Sequence, residues 1–146
     1  MTLEEIFDEW AQDSKIDRTN LGNHAISIAK LHHKYHQFLS KERLLTSKLQ
    51  AEMKTLKLDK NEFYGDGPNQ DHIEKGWKLP PKGRILKSDL PNYIEADKDI
   101  IELNLKIAYQ NEKVELLISI LKTITNMGFH IKSAIDYQKL TSGEMI

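Results

Sequence analysis

Between Leu21 and Tyr64 the chain runs without a proline, and its only glycine there, Gly22, lies at the start. Within that stretch Leu21, Ile28, Tyr35, Leu49, Leu56 and Phe63 fall on seven-residue steps, with Glu42 the one polar member. Ala25, His32, Leu39 and Met53 follow at an offset of four, and Leu31, Phe38 and Leu45 at an offset of three. A seven-residue apolar repeat keeps one helical face turned toward a partner, so the pattern predicts one long helix with a coiled-coil-like seam. At 1.5 Å per residue that helix is about 65 Å long, more than a compact globule of this size can enclose. Such a helix needs something to lie against.

The rest of the chain supplies a partner. Ile100, Ile107, Val114 and Leu121 repeat the seven-residue step, flanked by Leu103, Leu117, Ile118 and Ile124. This second helix is expected to start between Pro91 and Asp97 and to stop at Gly128 as its C′ residue, with a last helix over 129–140 carrying Ile131, Ala134, Ile135 and Tyr137. At the N-terminus, Thr2 and Glu5 have the spacing of a capping box for a short helix over 3–12, with Leu3, Ile6, Phe7 and Trp10 on one face. Residues 14–20 connect, and Asp17, Thr19 or Asn20 is placed to cap the long helix. All four prolines lie in residues 65–91, which read as an extended loop opened by Gly65-Asp66-Gly67-Pro68-Asn69. The fold class is therefore all-α: two long antiparallel amphipathic helices with short helices at the ends, able to self-associate. Three regions follow: 1–64, N-terminal and helical; 65–91, the Pro/Gly-rich basic loop; and 92–146, C-terminal and helical.

Composition removes several function classes. With 146 residues and no cysteine, the chain has one domain's length and neither a disulfide framework, nor a thiolate nucleophile, nor a cysteine zinc site. The acidic start MTLEEIFDEW lacks the plan of a secretory signal, and no apolar run reaches the length of a membrane span, so a cytosolic protein is expected. His32 and His36 share the spacing of a zinc-protease helix, but His33 stands where the catalytic glutamate belongs. Asp59-x-Asn61 lacks the rest of a calcium loop, Gly65-Asp66-Gly67 lacks the Gly-Lys-Ser/Thr of a phosphate loop, and no nucleophile has a base beside it. The expectation is a protein with no catalytic site, no metal and no cofactor.

Charge is sharply segregated although the formal net value is −1. Glu4, Glu5, Asp8, Glu9, Asp13 and Asp17 make the first twenty residues acidic, whereas residues 30–60 and 75–88 are basic. Lys54, Lys57 and Lys60 recur at three-residue spacing near the end of the long helix, with Phe63 and Tyr64 directly after. Beyond them comes Lys75-Gly76-Trp77-Lys78-Leu79-Pro80-Pro81-Lys82-Gly83-Arg84. Cations interleaved with aromatic rings suit single-stranded nucleic acid, because lysines track phosphates while rings stack on unpaired bases. Lys54, Lys57, Lys60, Tyr64, Trp77, Lys78, Lys82 and Arg84 are the candidate contacts. Helix ends also gather lysines for their dipole, Phe63 continues the apolar seam, and Leu79-Pro80-Pro81 could serve a polyproline-binding partner. A coiled-coil adaptor that binds only protein is the alternative reading.

Taken in order along the chain, these features resemble the UvsY-type recombination mediator proteins of tailed phages. Ile16-Asp17 followed by Thr19-x-Leu21 looks like the start of the family's long helix, and Leu56-Lys57 up to Gly65 occupies the place of its short basic and aromatic stretch. Ala96-Asp97-Lys98-Asp99 and Gly128-Phe129-x-Ile131-Lys132 carry the resemblance at the C-terminal end. The resemblance implies a non-catalytic protein that binds single-stranded DNA and helps load a RecA-like recombinase onto DNA covered by single-strand-binding protein, in the cytoplasm of an infected cell. It also implies a ring-like homo-oligomer, of roughly six to eight subunits if a heterologous interface closes on itself. Assembly is then expected through the C-terminal region, at Ile100, Ile107, Val114, Leu117, Leu121, Phe129 and Ile131. The family's DNA-contacting lysine carries over onto Lys57; its second basic position falls on Asp59, with Lys60 one step away.

Overall fold

The computed structural model describes residues 1–81, 83 and 85–143. Among them every regular element is helical. The elements are α1 (Leu3–Asp13), a 3₁₀ turn (Arg18–Asn20), α2 (Leu21–Asp66), α3 (Gln70–Glu74), α4 (Leu90–Glu95) and α5 (Lys98–Ser142). They form two compact units: Met1–Leu44 with Asn111–Ile146, and Leu45–Gln110.

Local signals set the ends of these helices. Thr2 accepts from the Glu5 N–H at 3.1 Å and its own N–H donates to the Glu5 carboxylate at 3.0 Å, closing the capping box. Asp17 accepts from the Thr19 N–H and hydroxyl at 2.9 and 2.6 Å and so turns the chain into α2. Gly67, in the left-handed region with φ 87°, takes the chain out of α2.

In the first unit the core is Ile6 from α1, Tyr35 and Leu39 from α2, and Leu117, Ile120, Ile124 and Met127 from α5. The seam's polar member is explained here: Glu42 is buried and meets the ammonium of Lys113 at 3.0 Å. Lys113 also donates to the Met1 carbonyl at 3.0 Å. At the edge, Lys34 bridges Asp13 and Glu9 at 2.6 and 2.7 Å, and the Tyr35 hydroxyl donates to Asp13 at 2.9 Å. Burial, with Asp13 beside it, pushes the Tyr35 hydroxyl well above its ordinary range.

Two expectations are corrected. The loop over 65–91 is not structureless, because Asn69 caps the short helix α3. Helix α5 does not stop at Gly128 but continues to Ser142, giving one 45-residue helix. Ile124, Met127 and Ile131 are all buried, so the apolar stripe passes Gly128 without interruption and its burial outweighs glycine's weak helix propensity of about 1 kcal/mol. The left-handed glycine that ends the helix is Gly143, φ 75°. By length and composition α5 also contains a window apolar enough to cross a membrane, a third of it buried in the chain's own packing. No apolar run in the sequence alone marks that window, because polar residues on the opposite helical face interrupt it.

Candidate nucleic-acid interface

The second unit holds most of the candidate DNA contacts, and it divides them. Lys54 and Lys57 are exposed on α2 and have no ionic partner among the described residues. Leu58, 61% exposed, lies beside them. Lys60 is different: it is 2% exposed, with its ammonium 3.1 Å from Asp97 and 2.8 Å from Asp99. The same ammonium stands 3.6 Å from the centre of the Trp77 ring and 5.7 Å from that of Phe63.

Asp97 is the hub of this arrangement. One carboxylate oxygen accepts from Lys60 and from the Tyr64 hydroxyl at 2.6 Å. The other accepts from the backbone N–H groups of Asp99 and Ile100 at 2.9 and 3.2 Å, which makes Asp97 the N-cap of α5. Burial alone would raise its carboxyl, but Tyr64, Lys60 and the Ile100 N–H outweigh it and hold the group below the ordinary carboxylate range. Tyr64 moves oppositely: burial, then Asp97, lift its hydroxyl far above the usual phenol range.

Trp77 is the second anchor. Its indole stacks on the buried His72 ring at 5.1 Å and meets Phe63 edge-on at 5.4 Å. His72 Nδ1 accepts the Asn69 N–H at 3.2 Å, so in the neutral ring Nε2 carries the proton and donates it to Asp59 at 2.9 Å. Lys75 completes the set at 2.8 Å from Asp59 and 3.0 Å from Asp71. Lys75 first, then His72, lowers the Asp59 carboxyl.

Lys60 is therefore corrected from a strand contact to a buried one, turned inward by two acids distant in sequence. Tyr64 and Trp77, by contrast, are half-buried, Tyr64 bonded to Asp97 and Trp77 packed on Lys60, Phe63 and His72. Lys78 is exposed, and Lys82 and Arg84 lie outside the described residues. Sequence reasoning counted Lys87 within a basic run but gave it no role. The structure sets it with Lys57 along one groove of about 580 Å³, lined also by Leu58, Asn61, Leu90, Pro91, Ile94 and Glu95.

This helical fold has counterparts among known proteins. Residues 9–144 match the family described as "Recombination, repair and ssDNA binding protein UvsY".

This chain belongs to the UvsY family.

The "Recombination protein uvsY" of Enterobacteria phage T4 is 24% identical over 147 aligned positions, covering 99% of this chain and all of that protein. Two crystal structures of the bacteriophage T4 recombination mediator protein UvsY share the fold. One has a TM-score of 0.80 at 21% identity, covering 97% of this chain and 99% of its own. The other has a TM-score of 0.81 at 24% identity, covering 97% and 98%. As a UvsY-family member, the chain falls among proteins of recombination, repair and single-stranded DNA binding.

The residues expected to assemble UvsY-type rings are unevenly placed. Ile100, Leu117 and Ile131 are buried within the chain, and Ile107, Val114 and Leu121 are partly so. Phe129 is 67% exposed. In the second unit Ile101, Leu105 and Tyr109 form a further exposed apolar face on α5. His32, His33 and His36 are all exposed, with the rings of His32 and His36 stacked 6.1 Å apart.

Proposed function

We propose that this chain is a recombination mediator. It holds single-stranded DNA on the exposed lysine face of α2 and helps load a RecA-like recombinase onto DNA covered by single-strand-binding protein. The observation that carries this reading is the pair Lys54 and Lys57, exposed and unpaired among the described residues in a chain of the UvsY family. Three residues apart on a helix, they present neighbouring charges to successive phosphates. Lys78 adds a third cation from the segment after α3.

Each such patch is weak alone. A ring-like homo-oligomer repeats it, and multivalency turns weak sites into tight, cooperative binding. The exposed apolar side chains of α5, Phe129 among them, are available for subunit contacts. Wrapping the strand would bend it and loosen its hold on the covering protein, while the acidic face of α1 receives the recombinase or that protein. The mediator acts by binding and needs no bond-making step.

Titration of the purified protein against a fluorescent single-stranded oligonucleotide, with a duplex control and a salt series, tests this. A salt-sensitive preference for the single strand that is lost in the Lys54→Ala, Lys57→Ala double variant supports it. Full binding by that variant would remove the lysine face from the reading. Oligomeric protein that binds no strand at low salt would favour an adaptor for protein partners alone, the reading that the exposed Ile101, Leu105 and Tyr109 face keeps in play.

A further inference from the structure

We infer that the groove between α2 and the Lys87–Glu95 segment is a nucleotide site, in which Lys57 and Lys87 hold the phosphates of a single strand on either side of a base laid on Leu58, Leu90, Pro91 and Ile94. The inference deepens the proposed function and rests on it.

Charge selects the occupant. Lys57 and Lys87 both line the groove, and neither has an ionic partner among the described residues. Glu95 is the one acid among the described residues that line it, so this lining is net positive. Lys87 also borders a neighbouring depression, but Glu62 and Asp66 line that one and outnumber the single lysine. A phosphate is therefore drawn to the Lys57 side.

The floor selects single strand over duplex. Leu58 is 61% exposed, and Leu90, Pro91 and Ile94 continue an aliphatic surface that one flat, unpaired base can cover, removing apolar area from water. Bases in a duplex keep their faces stacked inside and show only their edges in the grooves, so no base face reaches that floor. Asn61 adds an amide within the same groove, able to donate to or accept from a base edge. The two cations come from segments thirty residues apart, Lys57 on α2 and Lys87 just before α4, so neither strip of sequence contains the site by itself.

The test uses the full chain and two fluorescein-labelled probes of equal length, an oligo-dT and an abasic deoxyribose-phosphate strand. Lys57→Ala and Lys87→Ala are each expected to weaken both probes at least about tenfold, and to flatten the salt dependence by about 0.7 per lost phosphate contact. Leu58→Ser is expected to weaken oligo-dT alone and leave the abasic strand unchanged. Lys122→Ala, exposed on α5, should change neither. All four positions face solvent, and unchanged helical circular dichroism would show that each variant folds. Wild-type protein that binds neither probe would overturn both this site and the proposed function. Loss in Lys57→Ala with full affinity in Lys87→Ala would overturn the groove and leave the lysine face of α2 standing. Equal effects of Leu58→Ser on both probes, or none on either, would remove the base from the floor and leave it to an apolar protein segment.

Discussion

The ammonium of Lys60 lies 3.6 Å from the centre of the Trp77 ring, close enough for a full cation–π contact, in a place where neither group meets bulk water on all sides. Such a contact contributes on the order of 2 kcal/mol when desolvated. Asp97 and Asp99 balance the charge.

That geometry separates two lysines only three positions apart. Lys60→Ala strips a buried carboxylate of its cation and should lower unfolding free energy by about 3 kcal/mol. Lys57→Ala should leave stability within about 0.5 kcal/mol and reduce DNA affinity instead. Urea melts followed by Trp77 fluorescence in a Trp10→Phe background, run beside oligonucleotide titrations, would show the opposite pattern if Lys60 were the strand contact.

Acid should loosen the same unit. Folded Asp97 titrates below the ordinary carboxylate range, so the unfolded chain takes up its proton at higher pH. Its stabilisation is complete above the unfolded value, about 4, and drains away as pH falls through the folded value. Asp59, lowered by Lys75 and His72, adds in the same direction. Asp97→Asn should therefore be less stable at neutral pH and show a shallower loss below about pH 4 than wild type. Parallel slopes in urea melts between pH 3 and 7 would count against this.

Glu42 and Lys113 set a different test. Glu42→Leu alone leaves the Lys113 ammonium buried with the Met1 carbonyl but without its carboxylate, at a cost of roughly 3 kcal/mol. Adding Lys113→Met should recover most of that loss, because well-packed apolar pairs commonly match buried ion pairs in stability. Simple additivity of the two substitutions in a double-mutant cycle would mean that the pair is not coupled.

Gly128 offers a gain. It is helical, and a Cβ built on it would meet nothing within 4 Å. Gly128→Ala should stabilise the chain by about 0.5–1 kcal/mol, raising the melting temperature by a few degrees. A lower melting temperature would mean that α5 breaks there, as the sequence taken alone suggests.

That contrast shows what sequence can carry. The seven-residue steps from Leu21 to Phe63 follow the inward stripe of α2, with Leu21, Tyr35, Glu42 and Phe63 buried and Ile28, Leu49 and Leu56 half-buried, because periodicity is a local property. Of the flanking positions, Ala25, His32 and Leu45 are exposed. The capping box at Thr2 is likewise contained in four residues. The fate of Lys60 is not local. Its partners Asp97 and Asp99 lie far along the chain, and lysine spacing on a helix says nothing about which acid will fold against it. Tyr64 is half-buried for the same reason, through its bond to Asp97. At Gly128 the competing terms are both visible in the sequence, but their balance depends on how deeply Ile124, Met127 and Ile131 are buried.

Lys60 touches Trp77 at one end of residues 78–96 and Asp97 at the other. One ammonium thus closes a loop of the kind that a secreted protein would close with a disulfide, in a chain that has no cysteine to do it. A clasp of this sort needs no oxidant and survives any reducing compartment. Its cost depends little on the length of chain it closes, since each doubling of a loop adds only about 0.6 kcal/mol to the entropy of closing it.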